Sequence, residues 1–286
     1  MEISRRKFIG TSAKAAIGIG ALSAVPLLAS CSSNNESSTS SPSKYAALRV
    51  SSDPYKSDLE QRFAFSIFEG TEVAASGNLS EVIVTSPSGK KEIVKNVKIR
   101  DKGITSQGIY SLPLVFSEAG SWKLDTTFKG NKLDLSFSVA ENATAPAIGS
   151  VVPISTTPTI AKPLDAEVLC TAFDGTCELH DHSIDEVAKR NKSYVVIFAT
   201  PARCQTAYCG PVLDLTREVA KEHDYDVIHI EIYKNETTND TLDAVKTWNL
   251  PSEPWIFGIG KDGKVDWRLD GAFDQSEVEE LFVRLT

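Results

Sequence analysis

The chain has 286 residues, 41% of them hydrophobic and 24% charged, with 17 glycines and 13 prolines. It can bury a sizeable core and is neither a disordered polymer nor a collagen-like repeat. A net charge of −8, with no basic run in the body of the chain, argues against nucleic acid or anionic lipid as the main partner. One apolar stretch, Ala15 to Ser30, lacks charge long enough to enter a bilayer, which excludes a polytopic membrane protein, and the length points to about two domains.

The N-terminus reads as an address. Ser4-Arg5-Arg6-Lys7-Phe8-Ile9-Gly10 matches the twin-arginine export signature, and a weakly hydrophobic Ala/Gly-rich segment follows it. Leu28-Ala29-Ser30-Cys31 looks like a bacterial lipobox, so residues 1–30 are expected to be removed and Cys31 to carry the lipid that anchors the protein to the outer face of the membrane, or in the periplasm. Cleavage removes four basic residues and one acid, taking the net charge from −8 to −11. Residues 31–44 then form a tether: seven serines and no large apolar side chain lie between 32 and 43, so nothing there offsets the entropy of ordering.

From 45 to 140 the apolar residues alternate with period two: Phe63, Phe65 and Ile67, then Val82 and Val84, then Trp122 and Leu124, then Leu133, Leu135, Phe137 and Val139. Glycines punctuate these runs at short spacing and no helical stripe appears, so an all-β immunoglobulin-like sandwich without cysteine or histidine is expected, a spacer or contact module rather than a site of chemistry. Pro146, Pro153, Pro158 and Pro163, with only Glu141 and Lys162 charged, make 141–164 an extended linker.

Residues 165–286 change period. Ser183 with Glu186 opens a short helix, Tyr194 to Phe198 is a continuous apolar strand, and a helix runs from about Pro211 through Val212, Leu215 and Val219. Val227 to Ile232 is the next strand, Asp240 caps a helix reaching Trp248, Trp255–Ile259 and Val265–Leu269 flank an Asp262-Gly263 turn, and Asp274 with Glu277 opens a last helix. The chain is thus expected to end in an α/β domain of order βαβαββα.

With Cys31 acylated, Cys170, Cys177, Cys204 and Cys209 remain, an even number in an oxidising compartment. Three pairings are possible, and loop-closure entropy favours a structural Cys170–Cys177 bridge and a Cys204–Cys209 pair. The second pair lies between a buried strand and a helix. A thiol at a helix N-terminus faces unsatisfied N–H groups that favour its thiolate, and Arg203 stands beside it. Five residues of regular helix would put about 7.5 Å of rise between the two, too far for a disulfide, so both cannot be helical when bonded. Either the helix starts at Pro211, or its first turn melts on oxidation.

Phe198 to Pro211, the strand ending at Ile232, and Leu250-Pro251-Ser252-Glu253-Pro254-Trp255 resemble the thioredoxin-like superfamily, specifically membrane-anchored bacterial thioredoxin-domain lipoproteins, over residues 165–286. The resemblance implies an α/β thioredoxin-like domain in which Cys204 attacks, Cys209 resolves, and Pro254 is a cis-proline. Pro254, Trp255 and Arg203 would line the groove that receives a protein thiol or disulfide. An acid is expected near the resolving thiol, with Glu231 and Asp214 as candidates. The function expected is extracytoplasmic thiol–disulfide exchange, without a cofactor. The four-residue spacing departs from the superfamily's two.

Three alternatives stand beside it. The spacing is similar to that of Q-type peroxiredoxins, although Pro201 holds the place of their hydroxyl residue and Thr200 stands one earlier. Cys177, His180 and His182 put a thiol and two imidazoles within six residues, suited to copper(I) or zinc in a Sco-like metallochaperone, with solvated histidines and no bound metal as the simpler expectation. A non-catalytic module with structural disulfides is the third. His229 is expected to pack within its strand, and His223 to sit at a helix end.

Overall fold

The structure is a computed structural model that describes residues 44–104, 108–204 and 208–285. Residues 1–43, on which the expected export leader, lipid-bearing Cys31 and tether fall, lie outside the described residues. Among those described, no helix is long and apolar enough to cross a membrane.

Among the described residues nine strands build the first half: β1 (Tyr45–Arg49), β2 (Gln61–Glu69), β3 (Glu72–Val73), β4 (Val82–Thr85), β5 (Lys91–Val94), β6 (Lys98–Arg100), β7 (Ile109–Leu114), β8 (Gly120–Phe128) and β9 (Asn131–Val139). They form two antiparallel sheets, β1-β2-β7-β6 with β3 on β2, and β5-β4-β8-β9. The alternating residues meet between the sheets. Phe63 packs on Phe137 with ring centroids 4.2 Å apart, and Phe116 meets Trp122 edge-on at 5.2 Å. This is the two-sheet sandwich expected from the period-two pattern, with one departure. In β2 the residues between the core positions, Arg62, Ala64 and Ser66, are buried too, because Ala64 packs with Ile104, Ile109 and Ala272 on the sheet's second face.

The second half holds β10 (Tyr194–Phe198), β11 (Asp226–Ile230), β12 (Trp255–Ile259) and β13 (Val265–Asp270) in a sheet of order β11-β10-β12-β13. β10 and β11 run parallel; the other pairings are antiparallel. Its helices are α1 (Ile184–Val187), α2 (Cys209–Ala220), α3 (Asp243–Thr247) and α4 (Gln275–Arg284). All of β10 is buried because both faces are covered: Val196 and Phe198 join Trp248, Trp255 and Phe257, while Val195 and Ile197 join Val212, Leu213, Leu281 and Phe282 of α2 and α4.

The expected class is corrected by this architecture. The described chain is mostly β, arranged in three sheets, and only α2 and α4 exceed five residues, so the α/β thioredoxin-like assignment does not stand. The local reasons are visible. α1 lasts four residues before Asn191 turns left-handed at φ 52°, and the helix expected from Asp240 is delayed to Asp243 because Tyr233 and Thr241 form a β-bridge and the Asp240 carbonyl accepts the Lys234 N–H. At α4 the Asp274 carboxylate caps the Glu277 N–H at 2.9 Å as expected, but the Glu277 side chain does not reach back to close a capping box.

It turns instead to the sandwich. Arg62 of β2 donates through Nε and Nη2 to Glu277 at 2.7 and 2.9 Å, and through Nη1 to the Asp270 carbonyl at 2.8 Å, with both side chains almost wholly buried. Arg268 of β13 reaches the Asp53 carbonyl at 2.7 Å and its carboxylate at 3.1 Å, stacked between the Tyr55 and Trp255 rings. The described residues accordingly form one compact unit. The proline-bearing 141–164 stretch is not one extended run, since the Ser150 N–H donates to Ala147 and the Lys162 N–H to Thr159 in turns, and its first part is laid against β13: the Gly149 N–H donates to Val265 at 2.8 Å and the Val265 N–H to Ser150 at 3.0 Å.

Removing one partner of a desolvated pair leaves the other charge stranded. Arg62→Ala is expected to lower unfolding stability by about 3–5 kcal/mol, read from the denaturant midpoint. Lys98→Ala, which removes an exposed pair to Glu280, should shift it little. Equal small effects would contradict the clamp.

Candidate functional site

β10 ends at Phe198, and the loop after it carries Cys204; Cys209 is the first residue of α2. The two are joined as a disulfide with Cα atoms 5.8 Å apart, inside the window of about 4.4–6.8 Å that a disulfide allows. Only Cys209 is helical, so the expected conflict between helix and bond is resolved by starting α2 two residues before Pro211. A proline there costs no hydrogen bond, because the first four N–H groups of a helix have no internal partner. Residues 205–207, between the two sulfurs, lie outside the described residues.

The sulfurs differ in surroundings. Cys209 is fully buried, whereas Cys204 is half-buried. The Cys209 N–H, one of the orphan donors of the helix terminus, points at the Cys204 sulfur at 3.3 Å. On reduction that N–H and the helix dipole favour a Cys204 thiolate. The Cys209 sulfur sits 3.5 Å from Glu253 Oε2, which also accepts the Thr200 N–H at 3.0 Å. Burial, reinforced by the nearby Glu231 carboxylate, pushes the Glu253 carboxyl up to about 7 against the pull of the Thr200 N–H and Arg203.

Glu253 is the acid that sequence reasoning missed. Of the two candidates, Glu231 is held by the Thr171 N–H and hydroxyl, and Asp214 lies on α2 with Arg217 at 3.5 Å. The Glu253–Pro254 peptide bond is cis. Trp255, expected to line a groove, does not: it is fully buried, its ring stacked on Phe257, because β12 is covered on both faces. Pro254 is buried beside it. The Arg203 guanidinium is spent on the 233–239 loop, donating to the carbonyls of Asn235 and Thr238 and to Asn239, with its plane over the Tyr233 ring. The Thr200 hydroxyl is likewise engaged, accepting the Ile232 N–H at 2.9 Å.

The other cysteines correct a second expectation. Cys170 and Cys177 are free thiols rather than a bridge, and they meet His180 and His229, with one donor atom from each of the four lying within 4.8 Å of the others. His182, expected with them, faces Glu186 instead. His229, expected only to pack, stands at the centre: its Nδ1 lies 3.1 Å from His180 Nε2, 3.5 Å from Cys177 Sγ and 3.7 Å from Cys170 Sγ. The hydrogen bond between the thiols divides them, drawing the Cys170 thiol down and pushing Cys177 up. Thr171, next to Cys170, accepts the Ala202 N–H at 3.1 Å, so this cluster borders the disulfide loop.

No family model matches the chain, and no curated protein matches it. Among solved structures it is similar to the filamin domain of Lin-41, at 15% identity over 35% of this chain and 95% of that one, with a TM-score of 0.25.

The Glu253 shift has a stability consequence. With the disulfide intact, the folded carboxyl keeps its proton up to about 7, while the unfolded one loses it in the ordinary glutamate range. Stability therefore falls as pH rises between those values and the whole penalty is in place above the upper one. Glu253→Gln is expected to raise the thermal midpoint at about pH 8 and to leave it unchanged at about pH 4. A gain of the same size at both values would contradict a charge-based cause.

Proposed function

We propose that the protein is an exported, lipid-anchored thiol–disulfide exchange protein that acts through Cys204 and Cys209 on protein thiols or disulfides. The observation that carries this reading is the buried Glu253 carboxyl against the Cys209 sulfur, a proton donor and acceptor that titrates near 7 beside one half of a disulfide. A purely structural bridge has no use for it. The Arg5–Arg6 motif and the Leu28–Cys31 lipobox support the location, which allows such a pair to cycle outside the cytoplasm.

The steps follow from the asymmetry of the pair. A client thiolate attacks the half-exposed Cys204 sulfur, forming a client–Cys204 disulfide and breaking the Cys204–Cys209 bond. The departing Cys209 thiolate is buried, where an unpaired charge is costly, and takes the proton of Glu253. A second client thiolate then attacks the first client sulfur and releases Cys204 as a thiolate held by the Cys209 N–H. The client dithiol loses two electrons and the protein disulfide gains them. Run backwards, with Glu253 ionised and accepting the Cys209 proton, the same steps reduce a client disulfide.

The test is the rate at which dithiothreitol opens the Cys204–Cys209 bond in the full chain, normalised to the thiolate fraction. The normalised rate is expected to decline above about pH 7 as Glu253 ionises, and Glu253→Gln is expected to slow the reaction at least about tenfold and erase that inflection. An unchanged rate and profile in Glu253→Gln would remove the basis for exchange.

A further inference from the structure

Disulfide exchange at Cys204 and Cys209 makes no use of the neighbouring cluster, and the cluster's geometry is of another kind. Three of its members come from one irregular segment, Cys170, Cys177 and His180, and the fourth, His229, comes from β11. Cys177, His180 and His229 are buried, and Cys170 is half-buried, leaving one side open to entry. The His229 ring is oriented from behind: its Nε2 lies 2.9 Å from the Ala199 carbonyl, which can only accept, so Nε2 carries the proton and Nδ1 presents a lone pair to the other three residues. A backbone carbonyl on the far nitrogen is the arrangement that fixes a ligating imidazole. The Cys177 N–H donates to the Cys170 sulfur at 3.4 Å, holding that side chain from the opposite direction.

We propose that Cys170, Cys177, His180 and His229 form a closed tetrahedral S2N2 site for a d10 cation, Zn(II) or Cu(I). Around such an ion, bonds of about 2.3 Å to sulfur and 2.0–2.1 Å to nitrogen separate neighbouring donors by about 3.3–3.8 Å. The distances from His229 Nδ1 to the other three ligand atoms, 3.1, 3.5 and 3.7 Å, are close to those edges. Soft sulfur with imidazole selects such cations over oxygen-seeking ones. The contact between His229 Nδ1 and His180 Nε2 at 3.1 Å is the one a cation would replace, and the two thiols beside it are free rather than bridged. A bound cation ties the 170–180 segment to β11, and through Thr171 steadies the loop that carries Cys204.

The test uses the full chain with the Cys204–Cys209 disulfide intact, stripped by a chelator and titrated with Zn(II), with Co(II) as a spectroscopic probe, and with Cu(I) against a competing Cu(I) chelator. One cation per chain is expected, and the Co(II) form should show thiolate-to-metal charge transfer and the intense ligand-field bands of a tetrahedral ion. Whichever of Zn(II) and Cu(I) is held against its competitor names the cation. Cys177→Ser and His229→Ala should weaken binding by more than about tenfold, the loss already seen when an outer partner of a ligand is removed, and His182→Ala should not. Because buried ligands also support packing, Cys170→Ser at the half-buried position repeats the test with the circular dichroism spectrum as a check of folding. The proposal is overturned if the folded chain binds neither cation stoichiometrically, if Co(II) binds without sulfur charge transfer, if folded Cys170→Ser binds undiminished, or if Cys170 and Cys177 prove to be linked.

Discussion

The parallel pairing of β10 with β11 is the constraint on which both sites depend. Its register sets Ile197 against His229 and Phe198 against Ile230, and continues with the Ala199 N–H donating to the Ile230 carbonyl. The Ala199 carbonyl then fixes the His229 ring, and the Thr200 hydroxyl takes the Ile232 N–H. From this one strand end the chain enters the Cys204 loop on one side and presents Nδ1 of His229 to the thiols on the other. A slip of one residue would turn His229 to the opposite face and separate the two groups.

A second constraint is electrostatic. Arg62 and Arg268 are buried between the sandwich and the last sheet, and their desolvation is tolerated only because Glu277, Asp53 and several carbonyls converge on them. Apolar contact alone would let the two surfaces slide. Directional charge-assisted bonds fix one arrangement, which is why β2 is buried on both faces and the proline-bearing segment lies along β13 instead of spanning open solvent. Glu253 is the opposite case: a carboxyl buried next to sulfur with no cation bonded to it among the described residues, an arrangement that costs stability above its pKa and supplies a proton near neutrality.

Local features were legible in the sequence and long-range ones were not. The alternation of Phe63, Phe65 and Ile67, the apolar run from Tyr194, the Asp274 cap and the position of the Cys204–Cys209 pair each depend on a few neighbouring residues. Periodicity over-extended the helix expected from Asp240, and gave an α/β class where strands prevail, because a backbone bridge between Tyr233 and Thr241 competes for the same residues. The resemblance assigns Trp255 to a groove, and only the covering of β12 on both faces places it in the core. The partners that matter most are far apart in the chain: Glu253 is 44 residues from Cys209, and His229 is 52 from Cys177. Nothing in the pattern around Glu253 or His229 announces those contacts.

That chemistry at the pair depends on the unequal burial of its two sulfurs can be tested directly by trapping. Cys209→Ser and Cys204→Ser full chains are each reduced and mixed with a disulfide-bonded peptide, and the adducts are located by mass spectrometry. A stable mixed disulfide is expected on Cys204 in the first variant and almost none on Cys209 in the second. Adducts of equal yield on both sulfurs, or none on Cys204, would contradict it.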